Sequence, residues 1–189
     1  MRPAVFLDRD GTLIEDVRYL HRLDQIAVFP WTIDAIRALN RAGLVVVVIT
    51  NQSGVARGLF TEAFVEETHR QLSARLAAGK ARIDAYYYCP HHPEGIVEAY
   101  RRPCECRKPA SGMVDGAVRD LGLDPARSFV VGDKWLDMSL ARTVGARGIL
   151  VRTGTGAAEE ARLRPGLTAD AIVDNLAAAA SWILGKSEV

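Results

Sequence analysis

Ala4-Val5-Phe6-Leu7-Asp8-Arg9-Asp10-Gly11-Thr12 is the stretch on which the fold turns. Four apolar residues fit a short strand covered on both faces. The run ends abruptly in two carboxylates. In extended backbone, residues two apart project to the same side, so Asp8 and Asp10 face one point. Adjacent anions repel, and a divalent cation compensates them. Asp133, leaving a later strand, completes an all-oxygen set that suits Mg²⁺ with water positions left open. Taken singly, Asp10 or Thr12 fits a turn cap and Asp133 a helix cap. Several polar, complementary strand ends together favour a site.

Outward from this stretch, short apolar runs alternate with helical periods. Strands are expected at 44–50 (LVVVVIT), 85–89 (AYYYC), 128–131 and 148–151, with a weak one near Ile172. Helices are expected at 32–42 with Gly43 as C-cap, from Thr61 to about Leu76, at 111–121, at 136–144, and from Asn175 to Leu184. This alternation predicts an α/β, Rossmann-like parallel sheet with helices on both faces. Ligands of such sheets sit at the carboxyl ends of the strands. Those ends carry Asp8 to Thr12, then Thr50-Asn51-Gln52-Ser53, then Arg107-Lys108-Pro109, then Gly132-Asp133-Lys134 with Asp137.

The chain has 189 residues, 49% hydrophobic and 25% charged, which fits one soluble domain over 1–189 and excludes disordered or collagenous classes. Net charge is +1, from 24 basic and 23 acidic residues, so there is no basic field for nucleic acid. The apolar runs are too short for a membrane span, and charges at 8–10 interrupt any signal peptide. A cytoplasmic protein is expected. No apolar helix stripe is left over for a dimer, so a monomer is expected.

All three cysteines fall between residues 89 and 106, in a proline-containing loop over 90–109. A structureless loop of that length needs a reason. Cys89-Pro90-His91 and Cys104-Glu105-Cys106 form two ligand pairs twelve residues apart. Three thiolates and one imidazole fill a structural Zn²⁺ site, with His92 as an alternative to His91. The competing reading is three buried, reduced thiols. A zinc site of this kind carries one net negative charge, which Arg101, Arg102, Arg107 and Lys108 would offset.

DRDGT at 8–12, Thr50, Lys108 before Pro109, and GDKWLD at 132–137 resemble, in order, the four motifs of the haloacid dehalogenase superfamily of phosphotransferases. The resemblance implies that Asp8 attacks phosphorus and that Asp10 serves as acid and then as base. It implies that Thr50 and Lys108 contact phosphoryl oxygens. Mg²⁺ would be held by Asp8, the Asp10 carbonyl and Asp133. Asp137 would orient a metal-bound water or Lys134. Asp10 favours phosphate transfer over carbon–halogen cleavage.

The segments TNQSGVARG (50–58), YYCPHHPEG (87–95), CECRKP (104–109) and LVRTG (150–154) narrow the similarity to the superfamily's sugar-bisphosphate phosphatases. That implies removal of the C7 phosphate of a heptose 1,7-bisphosphate, on the way to activated heptose for lipopolysaccharide. Asp16, Tyr19, Asn51, Gln52, Ser53, Arg107 and Lys134 would meet the substrate. The cap insertions are minimal, so the site should be open, with the zinc loop as a small lid that positions Lys108 and Arg107. Histidinol-phosphate phosphatases are the nearest alternative. Polynucleotide 3′-phosphatases and a catalytically silent sugar-phosphate binding module are remoter ones. His21 and His69 are expected at the surface, Trp31, Trp135 and Trp182 in packing, and Gly154 and Gly156 in turns.

Overall fold

The computed structural model describes residues 1–162 and 164–186. Its strands are β1 (Ala4–Leu7), β2 (Val45–Asn51), β3 (Ala85–Cys89), β4 (Phe129–Gly132), β5 (Arg147–Val151) and β6 (Ala171–Val173). They form one sheet in the order β3-β2-β1-β4-β5-β6, parallel throughout. The helices are α1 (Thr32–Arg41), α2 (Glu62–Ala78), α3 (Gly112–Leu121), α4 (Trp135–Val144), α5 (Gly156–Glu160) and α6 (Leu176–Lys186). The expected strands and long helices are present, with ends shifted by a residue or two.

The period of two explains why β1 and β2 are apolar at every position. Val5, Leu7, Val46 and Val48 enter one core, against Ile36 and Leu39 of α1, Leu72 of α2 and Ile183 of α6. Ala4, Phe6, Val45, Val47 and Ile49 enter the other, against Val114 of α3 and Leu140 of α4. Both faces are covered, so neither can be polar. In α1 the buried residues Thr32, Ala35, Ile36 and Leu39 follow the helical repeat. Thr61 caps α2 as expected, accepting from the Phe64 N–H at 3.2 Å.

Two features depart from the sequence reading. Gly154 lies in a turn at φ +58°, as expected, but Gly156 opens α5, a five-residue helix that the spacing did not signal. The segment after β1 is also more ordered than a bare loop. Ile14 bridges to Asp10 and to Val28, and Thr32 Oγ1 donates to the Leu13 carbonyl at 2.9 Å.

Register fixes the site. Leu7 lies level with Val48 and Val131, so Asp8, Thr50 and Asp133 leave three adjacent strands within a residue of the same height. The lower ends of β1 and β4 are pinned by buried Ser128. Its Oγ accepts from the Ala4 N–H at 2.9 Å and donates to the Asp124 carbonyl at 2.6 Å. Ser128→Ala leaves that buried N–H without its acceptor. It should lower unfolding free energy by about 1–3 kcal/mol, read from the urea midpoint.

Candidate active site

A cleft of about 440 Å³ opens at the carboxyl edge of the sheet. Asp8, Asp10, Thr50 and Lys108 line it, as do Asp16, Tyr19, Asn51, Gln52, Ser53, Arg107, Lys134 and Asp137. Asp133 lies behind them, fully buried.

The most enclosed part is a charged chain. Lys108, only 2% exposed at its side chain, places Nζ 3.0 Å from Asp8 Oδ1 and 2.6 Å from Asp137 Oδ1. Asp8 Oδ1 also accepts from the Arg9 N–H at 2.8 Å. Burial pushes the Asp8 carboxyl up, but Lys108 and Lys134 outweigh it and hold the group below the usual carboxylate range. Burial favours a neutral Lys108, yet Asp137 and Asp8 raise its affinity for the proton. Asp137 is pushed up to about 6 by burial, reinforced by Asp8 and Asp133 and opposed by Lys108. Burial, and then Asp8, raise Asp133. The outcome is an ionised carboxylate facing the cleft beside a protonated ammonium.

Carboxylate oxygens of Asp8, Asp133 and Asp137 lie within 4.8 Å of one another, a donor set suited to a hard divalent cation. Asp137 meets Lys134 through the backbone and not through the ammonium. It grips Lys108, and its Oδ2 accepts the Lys134 backbone N–H at 3.2 Å, which caps α4. Lys134 Nζ instead lies 3.0 Å from Asp133 Oδ1 and 3.5 Å from Asp16 Oδ2.

Asn51 and Gln52 line the cleft, but their amides already serve protein partners. Asn51 Oδ1 accepts from the Lys108 N–H at 3.0 Å, and its Nδ2 donates to the Lys108 carbonyl at 3.3 Å. This fixes the backbone that carries the ammonium. Gln52 Nε2 donates to Asp10 Oδ2 at 2.9 Å and Thr50 Oγ1 at 2.8 Å. These bonds hold Lys108, Asp10 and Thr50 from two residues for which the resemblance implied substrate contacts.

The loop after β3 gathers Cys89, His91, Cys104 and Cys106. Sulfur–sulfur distances run from 3.1 to 3.5 Å, and His91 Nδ1 lies 3.3 Å from Cys106 Sγ. The cysteines are free thiols. The donor set fits a tetrahedral zinc centre. His92 lies elsewhere, its Nδ1 accepting from the Glu94 N–H at 3.1 Å and its Nε2 facing Arg57. Of the cations expected around this cluster, Arg107 donates to the His91 carbonyl at 3.3 Å and Arg102 Nη2 sits 2.9 Å from His91 Nε2. Lys108 turns away, toward Asp8.

A HAD-hydrolase-like family model matches residues 105–179, and the model for polynucleotide kinase 3 phosphatase matches residues 4–138, a span from Asp8 through Asp137. D-glycero-beta-D-manno-heptose-1,7-bisphosphate 7-phosphatase of Escherichia coli K12 is 47% identical over 161 residues, covering 84% of each chain. The protein of that name from Yersinia pestis is 42% identical over 186 residues, 97% of this chain and 90% of its own. The chain belongs to this family of HAD phosphatases. The crystal structure of D,D-heptose 1,7-bisphosphate phosphatase from B. bronchiseptica, complexed with magnesium and phosphate, superposes with a TM-score of 0.87 at 34% identity, covering 99% of this chain and 100% of that one. The chain is accordingly a phosphoric monoester hydrolase.

Three parts of this phosphatase site escaped the sequence reading. Arg18, Leu20 and Phe60 also line the cleft. His69, expected at the surface, is buried beside Arg9, because α2 packs its side chain under β3. The third is a cradle around Asp133. Thr155 donates to Asp133 Oδ2 from its N–H at 2.8 Å and from Oγ1 at 2.9 Å. A Cβ on Gly11 or Gly154 would collide with that same oxygen. Both glycines have positive φ, so their freedom is used twice. The cradle fixes Oδ2, and Oδ1 lies 3.0 Å from Lys134 Nζ. Asp133 belongs to the carboxylate set suited to a divalent cation, and partners that orient such a carboxylate are worth about 10–100-fold in metal affinity. Thr155→Val should therefore weaken Mg²⁺ and Mn²⁺ binding about tenfold by titration calorimetry. Unchanged affinity would remove the hydroxyl from the site.

Proposed function

We propose that the chain hydrolyses the C7 phosphate of D-glycero-D-manno-heptose 1,7-bisphosphate through an aspartyl-phosphate on Asp8. The observation that carries this reading is the ionised Asp8 carboxylate held 3.0 Å from Lys108, in a cleft that also presents Arg107, Arg18 and Lys134. A bisphosphate asks for cations at two places, and the cleft has them. The names of the relatives point to the same substrate.

An oxygen of Asp8 attacks phosphorus, and the bond from phosphorus to the C7 oxygen breaks. The departing oxygen takes its electron pair and the proton of Asp10. Asp10, now a carboxylate, accepts a proton from water as the water oxygen attacks phosphorus. The Asp8–phosphorus bond breaks, releasing inorganic phosphate and restoring both carboxyl groups. Lys108 and Thr50 hold the phosphoryl oxygens through both steps. The Asp8 carboxylate, the Asp10 carbonyl and Asp133 are the ligands proposed for Mg²⁺. When bound, that ion neutralises phosphate charge and draws electron density from phosphorus.

Zn²⁺ on Cys89, His91, Cys104 and Cys106 has a structural role. It fixes the loop one residue before Arg107 and two before Lys108, and zinc can supply on the order of 10 kcal/mol of local folding energy. The loop closes one side of an open cleft.

Turnover with Mg²⁺ on both anomers of the heptose bisphosphate, histidinol phosphate and fructose 1,6-bisphosphate tests the substrate. One heptose anomer should be preferred over the other two compounds, and faster release from histidinol phosphate would overturn the assignment. Asp8→Asn should abolish phosphate release, whereas turnover near wild type would remove the nucleophile. Cys104→Ser should lose zinc by elemental analysis and most activity with it. Full activity without zinc would break the proposed link from the loop to Lys108.

A further inference from the structure

His69 is a buried titratable group for which the proposed reaction has no stated use. It lies on α2, 6% exposed. Its ring stacks on Tyr86 at 4.5 Å and meets the edge of Tyr88 at 5.9 Å. The Tyr86 hydroxyl is itself held by Ser73 Oγ at 2.8 Å. The imidazole therefore has little freedom to turn.

Its Nε2 lies 3.4 Å from Arg9 Nη1. A guanidinium has donors only, so Nε2 must offer a lone pair, and the neutral ring carries its proton on Nδ1. Burial and then the Arg9 charge push the imidazole down to about 3, which keeps it neutral at working pH. Arg9 is 2% exposed and runs under the cleft. Its Nε and Nη2 donate to Asp10 Oδ2 and Oδ1 at 3.2 and 3.1 Å, a fork on a carboxylate. Nη2 also donates to Gln52 Oε1 at 2.9 Å. Nη1 is the remaining corner of the guanidinium, and His69 takes it.

We propose that His69 is a positioning residue for the phosphatase reaction: a neutral acceptor on Arg9 Nη1 that fixes the guanidinium so that its opposite edge holds the Asp10 carboxylate in the plane required to take a proton from the attacking water. The inference rests on the acid–base role given to Asp10 above. A base must lie within hydrogen-bond reach of the proton it takes, and a small misplacement costs rate before it costs binding. Gln52 gives Asp10 a second anchor, but it lies on the cleft side. His69 is the anchor on the core side.

Two substitutions separate positioning from packing. His69→Phe keeps a flat ring on Tyr86 and removes the acceptor. His69→Gln loses the ring and keeps an amide oxygen that can accept from Arg9. If His69 only fills space, Phe is the better replacement in both stability and rate. If it positions Arg9, the order in rate reverses. With Mg²⁺ and the heptose bisphosphate, His69→Phe should lower kcat about tenfold to a hundredfold, with KM within about twofold, and His69→Gln should recover most of the loss. The deficit should shrink in the initial burst with 4-nitrophenyl phosphate, whose leaving group departs without a proton. Wild-type kcat in His69→Phe, or equal impairment in His69→Gln, overturns the proposal. Should the Phe variant fail to fold, His69→Leu carries the same comparison with less bulk. Asp10→Asn separates the two levels. Near-wild-type turnover there removes the acid–base reading and the inference with it. An inactive Asp10→Asn beside an intact His69→Phe removes the inference alone.

Discussion

A buried ammonium between two carboxylates holds this site together. Lys108 comes from an irregular loop, Asp8 from the end of the central strand and Asp137 from the first turn of α4. Each group alone would be costly to bury, and together they satisfy one another. The pairing keeps Asp8 anionic against the pull of burial. It also ties the loop to the sheet at the one point where chemistry is expected. The rest of the architecture serves to deliver that ammonium. The Asn51 amide clamps the Lys108 backbone, and the three thiols gather in the chain just before it.

Two layers of support surround this chain, and they differ in kind. On the Asp133 side the support is steric and local: two glycines with no room for a side chain and a threonine that donates twice to one oxygen. On the Asp10 side it is a relay of hydrogen bonds running inward from the cleft through Arg9 to His69 and the tyrosines of β3. The first kind fixes Oδ2 of Asp133. The second fixes the plane of the Asp10 carboxylate.

Most of the fold was legible because its strands are short, apolar and bounded by polar residues. The VVVV run of β2 could serve only a sheet covered on both faces. The strand-end residues were legible for the same reason: polarity appears where an apolar run stops. What sequence spacing could not supply was direction. Asn51 and Gln52 sit at the cleft, yet their amides turn to Lys108 and to Asp10. His69 is expected at the surface because no motif partners it, but it shares the buried face of α2 with Val65, Leu72 and Leu76 and lies under β3. Thr155 lies 22 positions from Asp133, across a β-strand, and nothing periodic links them. His91 and His92 differ by one residue, and only the path of the loop separates the one that reaches the sulfurs from the one that does not.

β1, the first strand of the sheet in chain order, lies in its middle, with β2 on one side and β4 on the other. A nascent chain that has made only β1 to β3 exposes the flank of β1 and lacks both Asp133 and Asp137. The cluster of Asp8, Asp133 and Asp137 therefore closes only when the chain through Asp137 is in place. Until then the Asp8 carboxylate stands on an open edge, without Asp133, Asp137 and the Lys108 ammonium beside it.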